Sequence, residues 1–270
     1  MTGTGARSET ATLVYVYAVS SAEAARWVAE VRPKGLERGS VRAALEGGLA
    51  AIVSDVPAED YDQSALDERV RDGGWLTPRA TAHQEVNAAA HAALDAVLPV
   101  PFGTIYVSED RVREMLRART EELRAKLASV RGQGEWVVGL HRDVVRAAEH
   151  LSTVSDAMAH REHVATGPGR RYLEERSSET ARRTELRGLD DAAAASAHEM
   201  LARVSRHSFE EPVVQDAGDL VARTTYLVRR EDQHRLADAV QRFNGDWATR
   251  GYELRATGPW PPYRSSGAGS

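Results

Sequence analysis

The 270-residue chain contains no cysteine. That excludes disulfides, thiolate nucleophiles, iron–sulfur clusters and cysteine-ligated zinc, and it fits a reducing compartment such as the cytosol. Aromatic residues make up only 6%, and no strand of the Lys/Arg-Gly-Phe-Gly-Phe type is present, so an RNA-stacking sheet is not expected. No apolar run approaches the ~18–20 residues of a membrane span, and the first ten residues lack the apolar stretch of a secretory signal. Neither export nor anchoring is therefore expected. A surplus of positive charge is missing too: 35 Lys+Arg stand against 40 Asp+Glu, a formal charge of −5, which gives no global field to recruit nucleic acid or anionic lipid. The deficit is local. Residues 1–108 hold 9 basic and 14 acidic side chains, whereas 109–180 and 181–270 each hold 13 of both.

Signatures of chemistry are absent as well. There is no Gly-x-Ser-x-Gly elbow, no Gly-x-x-x-x-Gly-Lys phosphate loop, no Gly-x-Gly-x-x-Gly turn and no His-Glu-x-x-His helix. Among nine histidines only His160-x-x-His163 has ligand-like spacing, and it lies on a charged helix without a third ligand. His83 and His91 stand two turns apart on one expected helix near Glu85. A structural role there outweighs a catalytic His–Glu pair. Thr166-Gly-Pro-Gly-Arg-Arg171 resembles an anion nest, but its proline removes an N–H donor, so a turn is the better reading. The arginine pairs at 170/171, 182/183 and 229/230 have glutamates close by, which points to ion pairing.

What the chain does contain is ordinary for a globular protein: 42% hydrophobic and 28% charged residues, with a mean hydropathy of −0.45. Its length suggests two domains. Thr12–Val19 is β-branched and aromatic and reads as a buried strand, followed by a helix capped at Ser20 or Ser21 and stopped at Arg32-Pro33. Val41–Leu45 and Leu49–Val53 flank Gly47-Gly48 and read as a hairpin. Asp62–Arg71 is a short helix, and a longer one from Thr77-Pro78 ends at Leu98-Pro99. Val100–Val107 is a strand. After Ser108, an apolar seam runs through Val112, Leu116, Leu123, Leu127 and Val130, interrupted by Arg119. Strands at Glu135–His141, Asp219–Val228 and Tyr252–Ala256 and a helix at Glu231–Trp247 complete the set.

With 143–216 set aside, these elements spell a βαβ–βαβ order. The expected fold class is α+β, with two ferredoxin-like (split βαβ type) domains, the second carrying a long inserted helical hairpin. The expected organisation is a disordered leader at 1–11, an N-terminal α+β domain at 12–98, a C-terminal domain at 99–263 with its helical arm at 143–209, and a disordered tail at 264–270. Within the arm, Arg170–Arg187 is dense in charge and reads as a solvated helix. A projecting arm suits contact with a partner, though a self-contained helix pair is the simpler alternative.

Three stretches carry more than composition: Leu98-Pro-Val-Pro-Phe-Gly-Thr-Ile-Tyr106, Gly169-Arg-Arg-Tyr-Leu173 and Gly258-Pro-Trp-Pro-Pro-Tyr263. In this order, together with the Leu-Val-Tyr-Val-Tyr-Ala strand and the His83 region, they resemble the gas vesicle protein L/F family (GvpL/GvpF) over nearly the whole chain. Pro101 departs from the arginine common at that place and removes a charge. The motif positions carried over are Phe102, Gly103, Thr104, Tyr172, Trp260, Pro261 and Tyr263. Gly103 suits a bulge or a close backbone approach. The prolines of the last motif fix an extended chain that presents Trp260 and Tyr263, either to the protein's own sheet or to a partner.

The resemblance implies an accessory role in building gas vesicles, located at the vesicle in the cytoplasm, without catalysis, cofactor or metal. Its implied partners are the small hydrophobic shell protein and other gas vesicle accessory proteins, with no nucleic acid, membrane span or small-molecule substrate. An open sheet edge or the helical arm would serve as the contact surface. The alternative is a ferredoxin-like small-molecule-binding protein or enzyme with a site between its domains, in a cleft near His83 or His141.

Overall fold

Thr12–Ser21, the stretch richest in β-branched and aromatic residues, forms β1, an interior strand of the first of two sheets. The computed structural model describes residues 11–159, 168–213 and 219–267, with side chains for all of these except 154–159 and 168–178. After β1 come α1 (Ala24–Val31), β2 (Arg42–Glu46), β3 (Leu49–Pro57), α2 (Ala58–Tyr61), α3 (Gln63–Arg69), α4 (Gly73–Ala93), β4 (Val97–Pro99) and β5 (Ile105–Tyr106). The strands lie in the order β2-β3-β1-β4, with β5 also pairing β1. Gly47 and Gly48 both have positive φ, 55° and 79°, the conformation that closes a two-residue hairpin between β2 and β3.

Strand alternation divides the core of this unit into two layers. Tyr15, Tyr17 and Ala18 pack with Trp27, Val28, Val86 and Ala90 of α1 and α4. Val14, Val16 and Val19 pack with Val112, Leu116, Leu123, Leu127 and Val130, which lie on α5 (Glu109–Ala118) and α6 (Thr120–Val130). Consecutive Tyr17 and Ala18 share one face because the β1–β3 register shifts between Val16 and Ala18, as an extra residue in one strand requires.

The chain divides into two compact units, 1–134 with 260–270, and 135–259. The expected boundary at 98/99 therefore does not mark the division. The apolar seam of α5 and α6 is spent on the first sheet, so residues 99–134 belong with that sheet. The single expected helix there is broken at Arg119 (φ −113°, ψ 19°), the residue that interrupts the seam. Of the expected strand 100–107 only β5 (Ile105–Tyr106) is formed; β4 lies ahead of it at Val97–Pro99, and Pro101, with no N–H to give to a ladder, stands between them. At the other end, Tyr263–Ser266 forms a short helix, α10. Its Ser266 is buried, and the Ser266 hydroxyl donates to the Pro99 carbonyl at 3.4 Å, so a disordered tail from 264 is corrected for these residues.

The second unit is built from β6 (Gln133–Arg142), α7 (Val144–Ala159), α8 (Pro168–Ala202), β7 (His207–Glu211), β8 (Leu220–Arg229), α9 (Gln233–Trp247) and β9 (Tyr252–Trp260). Its sheet order is β7-β8-β6-β9. The expected arm reached residue 209, but His207–Glu211 is a strand paired with β8, from His207↔Leu227 to Glu211↔Arg223. Numbered within its own unit, each sheet runs second, third, first, fourth strand. The second core joins Val138 and Leu140 of β6, Ala193, Ala197 and Leu201 of α8, and Leu236, Phe243 and Trp247 of α9. The architecture is mixed α/β with two sheets.

Candidate functional site

Phe102, Gly103 and Thr104 form the turn between β4 and β5. Gly103 has φ +84°, a backbone conformation that strains any side chain, and its amide donates to the Tyr15 hydroxyl at 3.2 Å. The Thr104 hydroxyl donates to the Pro101 carbonyl at 2.7 Å, and the Thr104 carbonyl accepts the Val16 amide at 2.9 Å. These bonds fasten the turn to β1. Phe102 is half-buried and meets Tyr15 and His83 edge-on, with ring centroids 6.0 and 5.8 Å apart.

Behind this turn lies a polar cluster that the sequence reading does not assemble. The Tyr15 hydroxyl is 2.8 Å from His83 Nδ1. The Asn87 side-chain amide stands 2.9 Å from Nε2. Asn87 Nδ2 can only donate, so His83 Nε2 accepts from it and the imidazole proton lies on Nδ1, facing the Tyr15 oxygen. Burial pushes the Tyr15 phenol up, with the Tyr17, Tyr61 and Tyr263 phenols adding in the same direction. Burial also pushes His83 down to about 4, opposed in part by a hydrogen bond with the Val100 backbone. Both groups are therefore neutral near pH 7, and the bond between them holds the turn and β1 to α4. Tyr15 and His83 are the partners here, not His83 and Glu85.

Next to it, the Tyr17 hydroxyl accepts the Leu36 amide at 2.8 Å and lies 2.8 Å from Ser54 Oγ. Tyr61 donates to Glu37 at 2.7 Å and accepts from Arg79 Nε at 3.0 Å, while the Arg79 guanidinium sits 4.3 Å over the Trp75 ring. One sequence signal was present: Tyr15 and Tyr17 share a strand face, and His83 and Asn87 share a helix face at i, i+4.

The closing motif is also bound into the structure. A Cβ on Gly258, which has φ +144°, would lie 2.7 Å from the Glu135 carbonyl oxygen. Only glycine lets β9 lie this close to β6. Trp260 ends β9 half-buried, Pro261 and Pro262 are buried, and Tyr263 is half-buried at the start of α10. The backbone of Tyr172 is in α8, but its side chain lies outside the described residues, as do His160, His163 and the turn at Gly167.

Two of the cavities among the described residues belong to the second unit. One, about 570 Å³, is bordered mainly by polar and charged residues, among them His141, Arg142, Arg146, Asp219 and Arg255. His141 Nδ1 lies 3.0 Å from Asp219 Oδ2, and this contact holds the Asp219 carboxyl below the usual range. Its arginines are each paired: Arg142 with Asp190 at 2.5 Å, Arg146 with Asp143 at 3.6 Å, Arg255 with Glu253 at 2.9 Å. The other, about 430 Å³, opens under α8 against apolar walls from Val138, Leu140, Ala194, Leu201 and Val221, with Glu210 and Glu211 among its lining residues. Among the described residues no three His, Asp or Glu side chains come together as a metal site, and no helix is long and apolar enough to cross a membrane.

The family model "Gas vesicle synthesis protein GvpL/GvpF" matches residues 13–264. Gas vesicle protein L of Streptomyces sp. (strain CB03234) is 28% identical over 94% of this chain and 93% of its own length. Gas vesicle protein L1 of Halobacterium salinarum is 26% identical over 85% of this chain and 82% of its own length. The fold is similar to the crystal structure of the gas vesicle protein GvpF from Anabaena sp. PCC7120, with a TM-score of 0.70 at 16% identity over 94% of this chain and 98% of that one. With motifs, fold and a match that covers both units, the chain belongs to the GvpL/GvpF family of gas vesicle synthesis proteins.

Proposed function

We propose that this protein promotes gas vesicle assembly in the cytoplasm by reversible, non-catalytic binding of the small hydrophobic shell protein and of other gas vesicle accessory proteins. The observation that carries this reading is the family match over residues 13–264, which takes in both sheets apart from Thr12 at the start of β1. The geometry supports it in two ways. The motif residues Phe102, Gly103 and Thr104 are committed to holding a turn on β1, and we assign the same structural weight to Tyr172, Trp260, Pro261 and Tyr263. The cavity under α8 mixes apolar walls with Glu210, Glu211 and Arg223, and its apolar part can receive side chains of a hydrophobic subunit, which gains free energy from apolar area removed from water. We further read both units as split βαβ folds, on their shared second-third-first-fourth strand order, with α7 and α8 as the first crossover of the second.

The test is co-purification of the tagged full-length chain with the shell protein, beside Ala194→Trp, which fills the cavity from α8. Retention by the parent chain and loss in the variant, with circular dichroism unchanged, is the expected result. No retention by a folded parent chain overturns the shell-binding reading and turns attention to ligands of the polar cleft at His141.

A further inference from the structure

The β2 edge carries an inference about self-association. β2 stands last in its sheet, and among the described residues β3 is its only strand partner, from Arg42↔Val53 to Glu46↔Leu49. A two-residue turn makes Glu46 and Leu49 the closing hydrogen-bonded pair, so Arg42, Ala44 and Glu46 direct their backbone groups to β3. Ala43 and Leu45 direct theirs away from it. Val41 agrees with this alternation, since its amide goes to the Pro33 carbonyl at 3.3 Å instead of to β3. The outward edge of β2 is thus the N–H and C=O groups of Ala43 and Leu45. Charged side chains stand only at its two ends, Arg42 and Glu46; between them there is no lysine or proline, the β2–β3 register has no bulge, and Leu45 is apolar and 46% exposed.

We propose that this edge pairs antiparallel with the same edge of a second copy of the chain, centred on Ala44. The sequence Arg42-Ala-Ala-Leu-Glu46 is opposite in charge at its two ends. Antiparallel pairing about Ala44 sets Arg42 against the partner's Glu46 at both ends and Ala43 against the partner's Leu45 twice. Each Ala43–Leu45 pair exchanges two backbone hydrogen bonds. A parallel arrangement would instead set arginine beside arginine and glutamate beside glutamate, which cross-strand neighbours disfavour. Within one chain the end charges are already held in place. Arg42 is bonded to Asp55 at 2.7 Å and Glu109 at 2.8 Å, and Glu46 takes a bidentate bond from Arg117 at 3.0 Å. Each end of the paired edge then alternates in sign: Glu109, Arg42, the partner's Glu46, the partner's Arg117. Holding these side chains in advance lowers the ordering cost of association. The pairing is isologous and closes at two copies.

The absence of cysteine makes a register test clean. Full-length Ala43→Cys and Leu45→Cys variants are oxidised separately and as a mixture. A disulfide-linked dimer is expected in the mixture alone, because the proposed register sets position 43 opposite 45, while like positions lie two residues apart. In parallel, light scattering on the parent chain and on Glu46→Arg, which sets arginine against the partner's Arg42, should read dimer and monomer, with circular dichroism showing each folded. A monomeric parent chain at every concentration overturns the proposal. So does cross-linking in the separate samples equal to that in the mixture. So does a folded Glu46→Arg variant that dimerises as the parent does, or a parent chain whose β2 edge binds another gas vesicle protein and never its own copy.

Discussion

The Gly103 amide donates to the Tyr15 hydroxyl at 3.2 Å across 88 positions of sequence, and the same hydroxyl reaches His83 at 2.8 Å. One oxygen therefore joins the family motif turn, the central strand and the α4 helix. Tyr15→Phe keeps the ring and its contacts with Tyr17, Tyr61 and Phe102 but leaves the Gly103 amide and His83 Nδ1 without this partner. The expected loss is about 1–3 kcal/mol, the cost of leaving buried polar groups unsatisfied. Urea denaturation should show a lower midpoint at unchanged slope. A variant as stable as the parent would mean that the oxygen fastens nothing.

His83 gives this unit a pH dependence. Its folded pKa is pushed down to about 4 by burial, from an ordinary value of 6.5. Between those values the unfolded chain binds a proton that the folded chain refuses, so unfolding becomes easier as pH falls. The stability is fully present above pH 6.5 and declines toward pH 4, by a total on the order of 3 kcal/mol. Carboxylates with depressed values add their losses lower down; Glu122, held at about 2 by Arg119 and Lys126, is one. Denaturation midpoints at pH 7.5, 6 and 4.5, measured for the parent and for His83→Gln, check the assignment. The variant should be less stable at pH 7.5 and lose less between pH 6.5 and 4. An identical slope in both proteins would remove His83 as the source.

How far the fold is legible in the sequence depends on the range of the interaction that decides each element. The β2–β3 hairpin is legible because Gly47-Gly48 is a local instruction, and the α5–α6 seam because Val112, Leu116, Leu123, Leu127 and Val130 keep helical spacing. Even the break at Arg119 shows as an interruption in that seam. What periodicity does not say is which sheet receives the seam, and this is why the expected division at 98/99 differs from the observed units. β7 is missed for a similar reason. His207–Glu211 is short, only Phe209 is a large apolar residue, and its strand state is set by the ladder to β8. The polar cluster is hidden because Tyr15, His83 and Gly103 are far apart in sequence. Gly103 and Gly258 were marked by the family resemblance, but their causes, a turn bonded to Tyr15 and a close approach to Glu135, exist only in the folded chain.

Gly258→Ala tests the reading of the closing motif. The new methyl carbon would lie 2.7 Å from the Glu135 carbonyl oxygen and 3.1 Å from the Trp136 ring at a φ of +144°, so neither space nor backbone conformation accepts it. A cost of about 2 kcal/mol or more is expected, the range for forcing a side chain into a glycine-only region. Hydrogen exchange should show faster opening of β9 and β6, with β1 and β3 in the first unit unchanged. Faster exchange spread evenly over both units would mean that the strain is not local to the β6–β9 contact.

Asp190 ties the long α8 helix to its sheet. One carboxylate oxygen accepts Arg142 Nη1 at 2.5 Å, and the other accepts the Tyr252 hydroxyl at 2.7 Å, so β6 and β9 are held by a single side chain of α8. The pair is mostly buried, with Arg142 and Asp190 side chains only 17% and 16% exposed, and the Arg142 Nε has no hydrogen-bond partner. Removing the carboxylate leaves a buried guanidinium uncompensated, a change that typically costs about 3 kcal/mol or somewhat more. Asp190→Ala should therefore lower the denaturation midpoint strongly, and Asp190→Asn by less, since an amide oxygen still accepts one bond. The Tyr252 phenol is pushed up by burial and by Asp190, so losing the carboxylate should lower its titration, read by ultraviolet absorbance on the folded protein. Hydrogen exchange over 179–202 should accelerate in Asp190→Ala before the β7–β8 ladder opens. If α8 keeps its protection, Asp190 does not anchor the helix, and the apolar contacts of Ala193, Ala197 and Leu201 suffice to hold it.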